Sequence, residues 1–210
     1  MAINPNKDTR TKAATKQRII ETGFRLFAGH TIDGASLADV ANAAGVSMAT
    51  VYNYYSSKEA LAVDISAWMW RQYIADSDRR LEWQEMTAAE VFAHYLESFI
   101  DLYRNHRDLL RFNQFFNVYI QRQGATAEQV GSFTDVVDAL AARFHELYEK
   151  GKLDGTLRTD MPEKEMFSKT LHLMLAVVTR YAVGLVYDLS IDPEEELKFE
   201  RDLLFKAFIA

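Results

Sequence analysis

The sequence contains no cysteine among its 210 residues. Without a thiol, the chain has no disulfide framework, no thiolate nucleophile and no cysteine-ligated zinc or iron–sulfur centre. Glycine and proline are also scarce, at 9 and 3 residues, and no low-complexity tract occurs. These scarcities exclude collagen-like, disordered and loop-rich all-β chains. With 49% apolar residues, the composition favours a mostly helical protein that buries a sizeable core.

Long uninterrupted apolar runs are also missing. The longest apolar stretch, Leu171–Tyr187, is interrupted by His172, Thr179 and Arg180, which makes it a poor transmembrane span. The segment Met1–Arg18 is polar and basic and lacks the apolar core of a signal peptide. We therefore expect a cytoplasmic protein without membrane association.

A net positive charge is found only at the beginning of the chain, although the whole chain carries a net charge of −6. Residues 1–20 have a net charge of +4 and residues 1–62 of +2, whereas residues 63–210 have −8. A basic head on an acidic body suggests a polyanionic partner at one end. A solvated basic tail would give the same pattern.

Helical periodicity of apolar residues extends along almost the entire chain, and no useful β-alternation or internal repeat interrupts it. Capping residues and turn residues mark the boundaries between successive helices. The pattern predicts helices over residues 11–28, 37–44, 48–55, 58–80, 87–105, 109–122, 127–150, 162–188 and 193–209.

Residues 36–55 have the proportions of two short helices joined by a tight turn. Ser36 and Asp39 form a capping-box pattern, and Gly45 ends the first helix. Ser47 is the expected N-cap of the second helix. A helix-turn-helix, whose second helix enters the major groove of DNA, has this form. Many αα-hairpins share these proportions, so only the identities of the residues can distinguish a helix-turn-helix from an ordinary αα-hairpin.

The identities resemble those of the TetR family of transcriptional repressors. The resemblance covers about 50 residues. The remaining chain shares with the family only a succession of helices and the loop 155–160. It is carried by Gln17–Ile20, Leu26–Ala28, Ser36–Ala41, Ala44–Ser47, Thr50–Tyr55 and Ser57–Leu61.

This resemblance implies an all-α protein with two domains. Residues 1–56 would form a three-helix, helix-turn-helix DNA-binding domain, and residues 57–210 a six-helix domain for effector binding and dimerisation. Such a protein binds double-stranded DNA at an inverted-repeat operator as a homodimer, and a small-molecule effector releases it. The alternative is a DNA-binding regulator that acts as an activator or responds to a protein partner, without a small-molecule effector.

Hydroxyl, amide and cationic side chains of the head are the candidate DNA contacts. Tyr52 matches the family's recognition-helix tyrosine, and Lys58 combines a cation with a helix N-terminus. Ordinary structural roles remain open, such as capping for Ser47 and packing against the first helix for Tyr52. The candidates are Lys12, Lys16, Arg18, Ser36, Ser47, Met48, Ala49, Thr50, Tyr52, Asn53 and Lys58.

The recognition helix itself has no lysine, arginine or glutamine. Bidentate recognition of guanine by this helix is therefore not expected. We hypothesise that Met48, Ala49 and Thr50 contact thymine methyl groups and that DNA shape supplies further specificity.

Two positions depart from the family pattern. Thr31 stands where the family often has glycine, and Ala35 where it often has threonine. We expect Gly29 to end the first helix in place of the missing glycine, and one hydroxyl contact to phosphate to be absent at Ala35.

Aromatic and apolar side chains of the body could line an effector cavity with tyrosine hydroxyls as polar groups. A plain hydrophobic core is the alternative for each of them. The lining would suit a hydrophobic or aromatic effector. The candidates are Phe99, Tyr103, Phe112, Phe116, Tyr119, Met174, Val178 and Tyr181.

The apolar segment Leu171–Tyr187 has too little polar surface for a helix with one solvated face. It predicts a dimer interface built from the last two helices, unless this helix is simply buried in the centre of the domain. Apolar residues of the final helix support the interface: Leu197, Leu203, Leu204 and Phe208.

No metal, cofactor or enzymatic activity is expected from this sequence. His94, His106, His145 and His172 are scattered, and none has a partner histidine four residues away. No serine–histidine–aspartate set, phosphate-binding loop or dinucleotide fingerprint is recognisable.

Overall fold

The computed structural model describes residues 5–78, 83–188 and 190–210. Within these ranges the chain forms nine helices, and a single antiparallel bridge joins Leu157 to Ile209. None of these helices combines the length and hydropathy needed to cross a membrane. The helices are α1 (Pro5–His30), α2 (Leu37–Ala43), α3 (Met48–Tyr52), α4 (Lys58–Asp78), α5 (Ala88–Asn105), α6 (Arg107–Gln123), α7 (Gly131–Asp154), α8 (Glu163–Ala182) and α9 (Pro193–Phe208).

The chain divides into two compact units. The first unit runs up to Gln72 and includes Phe112–Asp135, and the second unit consists of Tyr73–Arg111 and Val136–Ala210. This division does not follow the predicted domain boundary between residues 56 and 57, because α4, α6 and α7 each contribute residues to both units. The boundary at 56/57 stays a prediction about function.

A buried apolar cluster holds α1 to α4 together in the first unit. Phe27, Val51 and Leu61 come from three different helices, and each side chain has 0% exposure. Gly23 of α1 faces α4 so closely that a Cβ there would lie 2.8 Å from Ile65 Cδ1. This close contact packs α1 directly against α4.

Residues of α6 from Phe112 onward belong to the same unit and contact it through aromatic side chains. Phe24 lies edge-on to Phe112, with ring centroids 5.8 Å apart. The buried Trp70 indole donates a hydrogen bond from Nε1 to Asn113 Oδ1 at 3.2 Å. The unit that contains the helix-turn-helix therefore includes residues of α6, more than 50 positions further along the chain.

The second unit is built around α5, which packs against both α8 and α9. Phe92 of α5 and Met174 of α8 have 0% exposure, and the Phe92 ring lies 5.9 Å from that of Phe208. The N-terminus of α5 is capped from a distant loop: the Ala88 amide donates to Asp154 and the Ala89 amide donates to Thr156. The family-like loop after α7 therefore anchors the start of α5.

Several predicted helix boundaries were wrong, including the start of α1, which lies at Pro5 rather than at residue 11. Helix α3 ends at Tyr52 rather than Tyr55, and α8 ends at Ala182 because Gly184 adopts a left-handed conformation with φ of 78°. Helix α7 begins at Gly131 and continues through Gly151 to Asp154. A Cβ on Gly151 would lie 2.8 Å from the Leu157 Cβ, so this glycine serves close packing rather than helix termination.

The expectation that Gly29 ends α1 was also wrong. Helix α1 continues to His30, and Thr31 takes the left-handed conformation with φ of 65°. That conformation is unfavourable for a β-branched residue. The Thr31 hydroxyl accepts a hydrogen bond from the Gly34 amide at 3.2 Å, which offsets part of the cost at an exposed site.

We expect Thr31→Gly to raise the free energy of unfolding by about 1 kcal/mol, because glycine adopts a positive φ without steric strain. Urea unfolding of both proteins at one protein concentration measures the difference. A variant less stable than the parent would show that the hydroxyl bond to Gly34 outweighs the strain.

Candidate DNA-binding site

Side-chain caps fix both helices of the helix-turn-helix. Ser36 Oγ accepts a hydrogen bond from the Asp39 amide at 3.2 Å, and Asp39 accepts one from the Ser36 amide at 2.8 Å. The bonds from the Ser36 hydroxyl and amide lower the pKa of Asp39. At α3, Ser47 Oγ accepts from the Thr50 amide at 3.1 Å. The predicted capping box and the predicted N-cap are confirmed.

The turn between α2 and α3 is held by the backbone. Gly45 has φ of 64°, and the Val46 amide donates to the Ala41 carbonyl at 3.0 Å. Val51 on the inner face of α3 is fully buried. The opposite face of α3 therefore points away from the unit.

That outer face carries most of the predicted recognition residues. Tyr52 has an exposed fraction of 57%, so packing against α1 does not account for this side chain. Met48 and Thr50 are half-buried at the edge of the face. The exposed recognition residues are Ser47, Ala49, Tyr52 and Asn53. No positive charge lies on this surface of α3.

Two predicted phosphate-binding lysines make contacts within the protein. Lys16 Nζ lies 2.7 Å from Asp64 Oδ2 and 5.8 Å from the centre of the Tyr55 ring. Lys58 Nζ donates to the carbonyl of Ile32 at 2.7 Å and to that of Ala35 at 3.2 Å. Their contacts with phosphate stay predictions, as do those of the exposed Lys12, Arg18 and Ser36.

Lys58 also connects the loop before α2 with α6. Its ammonium lies 5.5 Å from the centre of the Tyr119 ring, within the range of a cation–π interaction. The Tyr119 hydroxyl donates to Glu59 Oε1 at 2.6 Å, and burial together with this bond raises the pKa of Tyr119. Arg122 and Asp33 form an ion pair at 2.6 Å.

Sequence reasoning missed several of these residues. Tyr54 donates from its hydroxyl to the Lys12 carbonyl at 3.1 Å, and Tyr55 to Asp64 at 2.8 Å. Asp33, Glu59 and Arg122 belong to the same group of missed residues. Their partners lie between 9 and 89 positions away in the chain, and no local spacing rule relates such pairs.

The predicted effector-binding residues fall into the two units. Phe112, Phe116 and Tyr119 belong to the first unit, where the rings of Phe112 and Phe116 stack at 6.0 Å. In the second unit, the rings of Tyr103 and Tyr181 lie 6.1 Å apart. The remaining members of this second group are Phe99, Met174 and Val178, which are all buried.

Tyr95, which the sequence reasoning did not select, lies on the same stripe of α5 as Phe99 and Tyr103. Its ring contacts those of Phe99 and Phe144, at 5.2 and 5.5 Å. In the described part of the chain its hydroxyl oxygen is buried without a hydrogen-bond partner. Burial raises the pKa of Tyr95, so the side chain is a neutral donor that lacks an acceptor.

One group of side chains has the composition of a weak cation site. His145, Glu149 and Glu163 place one ligand atom each within 4.8 Å of one another. His145 Nδ1 lies 3.0 Å from Glu163 Oε2, and Lys152 forms an ion pair with Glu149. The hydrogen bond with Glu163 raises the pKa of His145. Scattered histidines were predicted, and this carboxylate partnership was missed because only histidine pairs were considered.

Comparisons with known proteins bear on the segment around this site. Residues 19–65 match the family of bacterial regulatory proteins, tetR family. MftR of Mycobacterium tuberculosis, a transcriptional regulator assigned to mycofactocin biosynthesis, is 36% identical over 52 residues. These residues make up 25% of this chain and 26% of MftR, so the match spans about a quarter of that relative.

Solved structures are similar over nearly the whole chain. The fatty acid degradation regulator FadR of Bacillus halodurans superposes with a TM-score of 0.71 at 19% identity, covering 90% of this chain and 94% of FadR. FadR of Bacillus subtilis, solved in complex with stearoyl-CoA, gives a TM-score of 0.71 at 17% identity, covering 90% and 97%. At such identities the likeness concerns the fold.

The capped helix-turn-helix lies within the segment that matches this family. Residues 19–65 therefore resemble the tetR family of bacterial regulatory proteins, and the fold of the chain resembles that of the solved regulators.

Proposed function

We propose that the protein is a homodimeric repressor that acts in the cytoplasm. It binds double-stranded DNA at an inverted-repeat operator and is released by a hydrophobic small-molecule effector. The observation that carries the proposal is the outer face of α3, where Tyr52 and Asn53 are exposed while Val51 anchors the helix.

The chemistry of this face suggests how the operator is read. Met48, Ala49 and Thr50 offer methyl groups for thymine, and Asn53 supplies an amide for phosphate or a base edge. Because α3 carries no cation, sequence-dependent DNA shape provides the remaining specificity. Phosphate contacts come from exposed groups around the face, namely Arg18, Lys12 and the Ser36 hydroxyl.

Exposed apolar side chains support a dimer through the last two helices. Leu173 of α8 is 40% exposed, and Phe199 and Leu203 of α9 are 62% and 48% exposed. Phe199 and Leu203 lie one turn apart on one stripe of α9. Of the four α9 residues predicted for this interface, Leu197, Leu204 and Phe208 pack inside the unit, so Leu203 together with Phe199 forms the outward stripe.

Tyr95 supports an effector site in the second unit. A buried hydroxyl without a partner is costly, and an effector with a hydrogen-bond acceptor would satisfy it. The surrounding Phe99, Tyr103 and Phe144 favour an apolar or aromatic effector body. Since FadR of Bacillus subtilis was solved with stearoyl-CoA, long-chain acyl-CoA compounds are sensible first compounds to test.

Helix α6 offers a route from effector to operator. It begins in the second unit and ends in the first, where Tyr119 binds Glu59 and Arg122 binds Asp33. A displacement of α6 would act on the first turn of α4 and on the loop before α2. The operator is released when these bonds no longer hold α2 and α3 in position.

Selection of fragments from the encoding genome tests operator binding. Purified protein is mixed with the fragments at about physiological salt, and the retained DNA is sequenced. The matched control is the double variant Tyr52→Ala, Asn53→Ala, which changes exposed side chains. An inverted repeat enriched by the parent but not by the control supports the proposal.

Equal enrichment by both proteins would contradict the role of α3. Release of the selected DNA is then assayed with a compound panel that includes acyl-CoA compounds. An operator that no compound releases would favour the alternative of a regulator controlled by a protein partner.

We expect Tyr95→Phe to raise the free energy of unfolding by about 1 kcal/mol, because it removes a buried hydroxyl without a partner. The same variant should need about tenfold more effector to release the operator, since the effector loses its hydrogen bond. The matched control is Tyr148→Phe, because the Tyr148 hydroxyl lies 2.8 Å from the Met161 carbonyl. The free energy of unfolding of this Tyr148→Phe control should fall by about 1 kcal/mol. A less stable Tyr95→Phe variant would show that the hydroxyl has a partner in solution.

A further inference from the structure

A groove of about 480 Å³ lies in the first unit, between the beginning of α4 and the end of α6. It is separate from the aromatic residues proposed for effector binding in the second unit. Its volume falls within the range of small-molecule sites. The residues that line it are Ser56, Ser57, Glu59, Ala60, Val63, Ile120, Gln123, Ala125 and Gln129.

Of these nine lining residues, Glu59 alone is charged. The pKa of Glu59 is lowered, chiefly because the Tyr119 hydroxyl donates a hydrogen bond to its carboxylate. The group is therefore ionised at neutral pH. The Tyr119 bond uses Oε1, and the Ser57 side chain also donates to the carboxylate. A carboxylate has about four lone-pair sites, so it can still accept a further donor.

The two nearby cations are occupied by other partners and do not line the groove. Lys58 Nζ donates to the carbonyls of Ile32 and Ala35, and Arg122 pairs with Asp33. Neither Lys58 nor Arg122 is among the residues that line the groove, although the charge of Lys58 contributes to the lowered pKa of Glu59. Negative charge thus meets the groove without a counter-ion among its lining residues.

Apolar and polar groups share the remaining wall. Val63 is buried beneath the groove, and Ala60, Ile120 and Ala125 are partly exposed. In the part of the chain that the structure describes, no hydrogen bond engages the Ser56 hydroxyl or the Gln123 side-chain amide. An aliphatic surface beside one carboxylate and unused polar groups suits a short amphiphilic cation.

We propose that this groove binds a small organic cation with a short aliphatic body. Its ammonium group binds Glu59, its chain lies against Val63 and Ile120, and Ser56 or Gln123 offers an additional acceptor for the ammonium. The bound cation connects the first turn of α4 with the end of α6. The protein would thereby have a ligand site in the unit that contains the helix-turn-helix, besides the effector site in the second unit.

Three probes of the same length separate charge from hydrophobicity: pentylammonium, pentan-1-ol and pentanoate. Each is titrated into the full-length dimer with isotope-labelled methyl groups, and the resonances of Val63 and Ile120 report binding. Pentylammonium should shift both resonances saturably, and the other two probes should bind at least tenfold more weakly, because they lack the positive charge that forms an ion pair with the Glu59 carboxylate. Equal binding of pentan-1-ol would overturn the proposal.

Three variants locate the site. Glu59→Gln should weaken pentylammonium binding at least tenfold, and Gln123→Lys, a change at an exposed position, should abolish it by placing an ammonium group in the groove. Tyr119→Phe should leave binding equal or tighter, because the tyrosine hydroxyl no longer competes for the carboxylate. Unchanged binding in both Glu59→Gln and Gln123→Lys would overturn the proposal. These measurements need no DNA, so their outcome is independent of operator binding.

Discussion

Lys58→Met should weaken operator binding at least tenfold. The salt dependence of binding should change less than the loss of a phosphate contact would require. The ammonium of Lys58 donates to the carbonyls of Ile32 and Ala35, two residues that are 1% and 4% exposed. Methionine keeps the length of the side chain but leaves these carbonyls without a donor. Such a loss costs about 1–3 kcal/mol of stability, and it loosens the loop that leads into Ser36 and α2.

The salt dependence separates positioning from direct phosphate contact. Each neutralised phosphate contributes about −0.9 to the slope of log K against log salt, so a contact made by both subunits would contribute about −1.8. We expect the slope of Lys58→Met to change by less than one. A slope reduced by about two would show that Lys58 binds phosphate directly, as the sequence pattern alone predicts.

Arg18→Met is the matched control for this measurement. Arg18 is exposed, and in the described part of the chain no ion pair or hydrogen bond engages it. Arg18→Met should therefore reduce the slope of log K against log salt by about 0.9 per subunit and leave the free energy of unfolding unchanged. Fluorescence anisotropy with the selected operator, at four or five salt concentrations, provides the affinity and the slope, and urea unfolding provides the free energy of unfolding.

The difference between these two cations illustrates what the sequence could predict. Local patterns were sufficient for the helix-turn-helix, because Ser36 and Asp39, or Ser47 and Thr50, are three positions apart and bind each other directly. The partners of Lys58 lie 26 and 23 positions earlier. Their proximity depends on how α1 and α4 pack, which no spacing rule contains.

Prediction of the effector-binding residues from the sequence is limited in the same way. The spacing of Phe99 and Tyr103 placed both on one stripe of α5, and both are buried as expected. Tyr95 lies on that stripe as well, but its distinguishing property is a hydroxyl without a partner. That property depends on every neighbouring side chain, including Phe144 of another helix.

Glycines were the least predictable residues, because the same residue serves several purposes. Gly29 and Gly151 both follow an apolar helical run, and both were expected to end a helix. Neither does, since α1 continues to His30 and α7 to Asp154. A sequence shows where glycine stands, but a helix end, a close contact and an exposed position can be told apart only from the surroundings.

Alanine substitutions at Gly34 and Gly29 test this distinction. We expect Gly34→Ala to lower the free energy of unfolding by about 3 kcal/mol. A Cβ on Gly34 would lie 2.1 Å from the carbonyl oxygen of His30. Because that oxygen belongs to the backbone, no side-chain rotation can relieve the clash. The turn must therefore open.

Opening this turn would separate more than one contact. Asp33 precedes Gly34 and pairs with Arg122, while Ile32 and Ala35 provide the carbonyls that hold Lys58. We therefore expect operator affinity to fall at least tenfold in Gly34→Ala, even at temperatures where the protein remains folded. Lys58→Met and Gly34→Ala should be less than additive in operator binding, since both release the same loop.

Gly29→Ala is the matched control, since it makes the same substitution five positions earlier. No atom lies within 4 Å of a Cβ at this position, and the residue lies inside α1. Alanine is the better helix former, so the free energy of unfolding of Gly29→Ala should rise by about 0.5–1 kcal/mol. Its operator affinity should stay unchanged. Urea unfolding at one fixed protein concentration compares the variants, because the stability of the proposed dimer would depend on concentration. A Gly34→Ala protein within about 0.5 kcal/mol of the parent would show that the turn accommodates a side chain, and that the loop does not control the position of α2 and α3.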